Sequence, residues 1–333
     1  MNRKNIRKEV QDFCADTGKN RLLTQGAGGN VSWKEAGVMY IKASGTWLID
    51  ANDKDIFVSI ELQSLHKNIN SGVFSTPENI TNESNLRPSI ETMMHAIMPH
   101  KIVVHLHVID ILAVLVRKEA KSIMRQVFGN KLNYVFIDYV KPGPNLAEAI
   151  YLGLKNKAVN IVFLKNHGVI IGGSSVVDVQ EKLNFILYEL GPYVTLTKLQ
   201  GCQKTSEDVD GYSILDLPEL NELACNTKLL NQVKENWALY PDHVVFLGNS
   251  PNVVVDFEQY KKAARSNFKY IIVKNYGVFV SNSALKSEIC QLICYADVLL
   301  RQPYECELSL LTPKEINELI NWDSEKYRLK HSK

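Results

Sequence analysis

Hydrophobic positions change their spacing repeatedly along this chain, and each change marks an element. Ile6, Val10 and Phe13 share one face of a helical repeat, so "NIRKEVQDFCADTGKN" is expected to be a helix. "VSWKEAGVMYIKASG" then alternates, which predicts a strand, a turn at Gly37 and a second strand. From residue 89 onward the two periods take turns. "SIETMMHAIM" has helical spacing, with Ser89 expected as its N-cap. "KIVVHLHV" alternates as a strand, and "IDILAVLVRKEAKSIMRQVF" is helical throughout. "NYVFIDYV" predicts a strand closed by the turn "KPGPN", and "LAEAIYLGLKNK" a helix. "VNIVFLKN" and "GVIIGG" read as strands, and "SVVDVQEKLNFILYELGPYV" as a long helix.

The region beyond residue 200 is organised around an echo of what precedes it. "LKNHGVIIGGSSVVDVQEKLNFILYEL" begins at Leu164 and "VKNYGVFVSNSALKSEICQLICYADVL" at Val273, an offset of 273 − 164 = 109. Lys165, Asn166, Gly168 and Val169 recur as Lys274, Asn275, Gly277 and Val278, whereas His167 becomes Tyr276. Upstream, "DHVVFLGN" stands at nearly the same offset from "NYVFIDYV" and is expected to be its strand counterpart. A partial internal duplication is the reading that joins these matches. The polar, turn-rich stretch from Gln200 to Ser213 separates the copies, which predicts a first domain over 1–205 and a repeat lobe over 206–333.

Composition narrows the function classes. The chain has 333 residues, 45% hydrophobic and 22% charged, an ordinary globular balance. Its net charge of +2, with basic residues spread out, gives no electrostatic case for nucleic acid. No apolar run reaches membrane-spanning length, and "MNRKNIRKEV" lacks the apolar core of a signal peptide. The six cysteines form no C-x-x-C; Cys290 and Cys294, four apart in a helical pattern, are expected as buried thiols. A cytoplasmic location is expected.

Two clusters of residues carry candidate chemistry. "TQGAGGNVSW" approaches the dinucleotide fingerprint G-x-G-x-x-G, with Gly26 and Gly28 in place but Val31 at the third glycine. It also runs from a helix into a hairpin, where the fingerprint needs a strand and then a helix. A nucleotide loop is therefore set aside. A plain glycine turn and an anion-holding loop both stay open from these residues.

The second cluster is histidine. His105 and His107 lie two apart on a strand, so both side chains share one face about 7 Å apart at the backbone. Val104 and Leu106 take the other face. Two such imidazoles can meet one ion at about 2.0–2.1 Å, and His167, at the turn after the next strand, is a third candidate. An alternating strand with two plain histidines is the other reading. Glu91 lies one helical turn before His95, where it suits the helix dipole and equally a general acid or base.

Taken in order, "GAGGNVS", "IKASGTW", "RPSIETMMHAIMPHKIVVHLH" and "LKNHGVIIGG" resemble the class II aldolase/adducin family. The resemblance covers residues 5 to 200. It is nearest to the aldolase part of proteins that fuse an aldolase to a short-chain dehydrogenase, although no dehydrogenase portion is expected here. It implies a divalent metal, commonly zinc, on His105, His107 and His167, with Glu91 as acid/base. It also implies a substrate phosphate held by Gly29, Asn30, Ser44, Gly45 and Ser89.

The segment between Glu91 and His105 is shorter than in the fuculose enzyme. Ile90 stands where that enzyme has a second serine, and the tyrosine that some members bring from a C-terminal tail has no assigned counterpart.

The implied fold is α/β: three α/β/α layers on a largely antiparallel sheet, with a smaller C-terminal lobe that partly repeats it. The implied activity is reversible carbon–carbon cleavage of a ketose phosphate through an enediolate, in a homo-oligomer with one active site per chain. A same-family decarboxylase or sugar-phosphate 4-epimerase stands as the alternative, as does a non-catalytic, adducin-like interaction protein.

Overall fold

Seven strands form the central sheet of the first half. The computed structural model describes residues 6–77, 86–203, 211–303 and 305–332. The strands are β1 (Asn30–Glu35), β2 (Val38–Lys42), β3 (Phe57–Glu61), β4 (Ile102–Leu106), β5 (Tyr134–Ile137), β6 (Ile161–Leu164) and β7 (Gly168–Gly173). Their order is β3-β2-β1-β4-β7-β6-β5, and every neighbouring pair is antiparallel except β5 and β6. The helices of this half are α1 (Ile6–Lys19), α2 (Leu62–Asn70), α3 (Thr92–Ile97), α4 (Ile109–Leu115), α5 (Ala120–Phe128), α6 (Pro144–Leu154) and α7 (Val176–Leu190).

Strand alternation sorts the helices into layers. Val31, Val104 and Leu106 face α1, α5 and α7. Met39, Ile41, Val103 and Ile170 face α2, α3 and α6. Each fully buried aliphatic side chain on these faces contributes about 1.5–3 kcal/mol. The result is the three-layer, largely antiparallel α/β architecture that the family resemblance implies. His105 lies on the Val103 face of β4, toward α3.

A smaller sheet follows, built from β8 (Tyr212–Ile214), β9 (Val253–Val254), β10 (Tyr270–Val273) and β11 (Gly277–Ser281) in the order β8-β11-β10-β9. Its helices are α8 (Pro218–Cys225), α9 (Thr227–Glu235), α10 (Pro241–Leu247), α11 (Phe257–Ala264), α12 (Lys286–Leu299), α13 (Pro313–Ile320) and α14 (Asp323–His331). This sheet matches β4-β7-β6-β5 strand for strand: both sets pair antiparallel, antiparallel, parallel. The turn between the hairpin strands repeats too, with Asn166 at φ 54° and Asn275 at φ 70°. The register gives the equivalents of the histidines. His105 pairs Ile170 and Ile214 pairs Phe279, so 214 − 105 = 279 − 170 = 109. Ile214 and Asp216 therefore occupy the H-x-H positions of the second copy, and the Tyr276 ring packs on Phe257.

Three expectations need correction. "DHVVFLGN" is not a strand: it forms α10, and the counterpart of β5 is β9. Pro241 at the helix start and Asp242 in the first turn favour that helix. The helix expected over 109–128 is two helices, because Arg117 forms a β-bridge to Leu308 and Ser309 N donates to Val116 O at 2.7 Å. Ser89 does not cap α3, whose N-cap is Glu91; the Ser89 hydroxyl instead accepts from Glu91 N at 3.2 Å.

The expected boundary after residue 205 lies outside the described residues. Helix α4 spans the junction: Ile111, Val114 and Leu115 enter the first core, and Ile109, Leu112 and Val116 the second. Cys290 and Cys294 are free thiols, while Cys202 and Cys225, which no sequence pattern paired, are joined as a disulfide. Among the described residues, no helix is long and apolar enough to cross a membrane.

Candidate metal centre

Two strand ends and a tight turn converge above α3. β4 delivers His105, and His107 follows just past its end. β7 starts beside them at Gly168, where a Cβ would lie 2.4 Å from Leu106 O, 3.2 Å from His107 Cδ2 and 3.3 Å from His105 Cε1. Only glycine lets β7 pass so close to both rings. His167 sits between Gly168 and the left-handed Asn166, whose side-chain amide donates to Leu239 O at 2.8 Å and Ser309 O at 2.6 Å. The turn is thus pinned by the C-terminal half.

The three imidazoles are buried, and their ligand nitrogens lie within 4.8 Å of one another. His105 Nε2 and His107 Nε2 are 3.1 Å apart. His105 Nδ1 donates to Val169 O at 3.1 Å, which leaves the Nε2 lone pair free. His107 Nδ1 lies 3.4 Å from Asp242 Oδ2. Burial, then the neighbouring histidines, push His105 well below the ordinary imidazole range, and burial pulls His167 down to about 3. These two rings are neutral, as metal ligation requires.

The donor set fits a divalent ion. Tetrahedral coordination at about 2.0–2.1 Å places ligand nitrogens roughly 3.3 Å apart. His105 Nε2 and His107 Nε2, 3.1 Å apart, lie close to that spacing. Among the described residues, these histidines form the one group of three or more histidine, cysteine or carboxylate side chains close enough to share an ion.

Glu91 completes the cluster from the start of α3. Its Oε2 lies 3.7 Å from His105 Nε2 and its Oε1 3.4 Å from His167 Nε2. Asn30, which also lines the cavity beside the centre, donates its amide to Glu91 Oε2 at 2.6 Å. Burial raises Glu91 to about 7. His95 has no part in the cluster: it is buried, paired with Ser32 Oγ at 2.8 Å, and pulled down to about 3 by burial.

Beside the centre lies a cavity lined by Gly29, Asn30, Ser44, Gly45, Ser89, Glu91, His107 and His167. Every residue expected for phosphate binding therefore lines the same cavity as His107 and His167. Gly29 (φ 68°) and Gly45 (φ 80°) need glycine for their left-handed backbone. Four further lining residues are charged: Lys42, Asp242, Glu325 and Arg328. Lys42 is buried and donates to the carbonyls of Ala27, Ala43 and Thr46. Burial, then the Arg328 cation, lower it to about 7. Arg328 and Glu325 come from α14, whose His331 also crosses the face of Gly45. With α14 in place the cavity holds about 20 Å³, room for roughly one water.

The profile of the Class II Aldolase and Adducin N-terminal domain matches residues 8–186. The chain belongs to the class II aldolase and adducin family. "Uncharacterized oxidoreductase YuxG" of Bacillus subtilis (strain 168) is 28% identical over 194 residues. That match covers 53% of this chain but only 28% of the relative.

Among solved structures, the N-terminal class II aldolase domain of a conserved protein from Thermoplasma acidophilum is similar at 23% identity and a TM-score of 0.48. The alignment covers 58% of this chain and 95% of that one. An L-fuculose 1-phosphate aldolase is similar at 18% identity and a TM-score of 0.42, over 58% and 86% of the two chains.

Four charged residues that line the cavity beside the centre were not singled out from the sequence. Lys42 ends a strand whose alternation assigns it to the face of half-buried Tyr40. Asp242 reads as a first-turn carboxylate, and Arg328 and Glu325 belong to the polar run "DSEKYRLKH". The charged first turn and polar face that these helices show are common on any surface helix, so no local signal separates them.

Proposed function

We propose that this chain is a metal-dependent, class II aldolase-type lyase acting on a ketose phosphate. The observation that carries the reading is the convergence of three imidazole nitrogens with Glu91 between 3.4 and 3.7 Å from two of them. His105, His107 and His167 would hold a divalent ion, with zinc favoured by three nitrogen ligands and an open position. When bound, that ion supplies Lewis-acid stabilisation of negative charge on the substrate's oxygens as the carbon–carbon bond breaks.

The chain's own residues do the rest. Glu91, held by Asn30 Nδ2, has both the position and the shifted carboxyl to take and return a proton at the adjacent carbon. Gly29, Ser44, Gly45 and Ser89, with the cations of Lys42 and Arg328, form the wall that would orient the phosphate. The limited free volume means that a phosphate requires side chains of α14 to move. Burial of the whole cluster excludes water from the reacting atoms.

The test is metal analysis of protein purified without chelator, followed by aldol-cleavage assays on a panel of ketose 1-phosphates. One equivalent of metal and metal-dependent cleavage are expected. Absence of bound metal overturns the reading; metal with decarboxylation or epimerisation in place of cleavage moves the chain to the alternative reaction class. Assembly into a homo-oligomer is part of the same proposal and is read by light scattering.

A further inference from the structure

We infer that Asp242 and Arg328, both from the C-terminal half, are positioning residues of the candidate centre: Asp242 fixes the ring of His107, and Arg328 fixes Asp242. The inference rests on the metal reading above and goes beyond its ligand set. An ionised carboxylate only accepts hydrogen bonds, so Asp242 Oδ2, 3.4 Å from His107 Nδ1, favours the tautomer that carries its proton on that nitrogen. Its Nε2 then carries the lone pair, and that atom is the one 3.1 Å from His105 Nε2. His105 achieves the same orientation through a main-chain carbonyl, Val169 O. His107, beyond the end of β4, uses a side chain 135 residues further on (242 − 107 = 135).

The pair is built for this contact. Arg328 grips Asp242 with both terminal nitrogens, Nη1 to Oδ1 at 2.6 Å and Nη2 to Oδ2 at 2.7 Å. This fork geometry keeps a 3% exposed carboxylate ionised. Glu325 Oε2 lies 3.4 Å from Arg328 Nη1 and steadies the guanidinium. Gly28 leaves the space: a Cβ there would lie 3.1 Å from His107 Nδ1 and 3.2 Å from Asp242 Oδ2. A mere staple between α10 and α14 needs neither the histidine contact nor that gap. Buried ion pairs also add little net stability over apolar packing.

The experiment measures zinc affinity of the full chain by competition with a chromophoric chelator. Asp242→Asn keeps the shape and removes the charge; it is expected to weaken zinc binding about 10–100-fold. Arg328→Gln is expected to weaken it in the same direction. Ser287→Ala, which touches Ser332 of the C-terminal segment but not the centre, is expected to leave it unchanged. Zinc binding by wild type with an unaltered affinity in Asp242→Asn overturns this inference alone. No zinc binding by wild type overturns the metal reading and this inference with it. Should the variant fail to fold, the imidazole nitrogen spectrum of zinc-loaded wild type decides: His107 protonated at Nδ1 supports the assignment, and His107 without that proton overturns it.

Discussion

Glu91 is buried, held by Asn30 and raised to about 7, which suits the acid/base role proposed for it. Replacing it by Gln preserves volume and leaves an oxygen for Asn30, but removes the proton acceptor. Glu91→Gln is expected to lose about 10²–10⁴-fold in turnover while metal content and folding persist. Plasma emission spectrometry and steady-state assays check this; full activity would return Glu91 to a plain helix-start carboxylate. Lys42 makes a different prediction. It is lowered to about 7, so its ammonium gives up a proton within the neutral to mildly alkaline range in the free protein. A bound phosphate favours the charged form and raises that pKa. Phosphate binding between pH 7 and 9 is therefore expected to take up a proton, beyond any exchange by phosphate itself. Calorimetry in buffers of different ionisation enthalpy reads this uptake; its persistence in Lys42→Met would clear Lys42 of the role. At this scale the triad was legible, since H-x-H on an alternating strand fixes a shared face. Lys42 was not, because its side chain turns inward onto carbonyls from other segments.

At the scale of elements, the hairpin turns show how local and distant forces combine. Asn166 and Asn275 both adopt left-handed backbone, which asparagine tolerates better than most residues. Asn166 adds two hydrogen bonds to carbonyls of the C-terminal half. Asn166→Ala removes both and strains the turn, for an expected loss of about 3 kcal/mol in urea denaturation. Asn166→Gly should recover about 1 kcal/mol of that by relieving φ. Equal stability of the two variants would mean that the backbone conformation contributes nothing. Most strands and helices were legible here because burial follows period. The break between α4 and α5 was not: no Gly or Pro marks it, and the pairing partner near Leu308 lies far along the chain.

At the scale of the molecule, a copied sheet does not amount to a separate body. Helix α4 is apolar on both sides and feeds both cores. Arg117 is buried between them, donating to Gln302 Oε1 at 2.9 Å and Arg301 O at 3.1 Å. The two halves are expected to unfold together. Trp33 reports on the first core and Trp237 on the second. Urea transitions of Trp33→Phe and Trp237→Phe, each compared with its own far-UV signal, should show coincident probes; a fluorescence midpoint displaced from the far-UV one would show that the halves melt separately. The duplication was legible from its 109-residue offset, but its closure onto the first half's site was not. Pattern reports which faces are apolar, not which surface each face meets.

The spacing of the centre along the chain also gives it a history during synthesis. His167 is made 75 residues before Asp242 and 161 before Arg328, since 242 − 167 = 75 and 328 − 167 = 161. At about 5–20 residues per second, the three imidazoles precede Arg328 by roughly 8–32 s. For the first 75 of those residues, about 4–15 s, a nascent chain carries the candidate ligands without the carboxylate inferred to orient His107. Metal capture and completion of the fold are then separate events, and newly made protein should draw zinc late. Ribosome-stalled chains of graded length, assayed for retained zinc, give the order; full affinity before Asp242 emerges would reverse it.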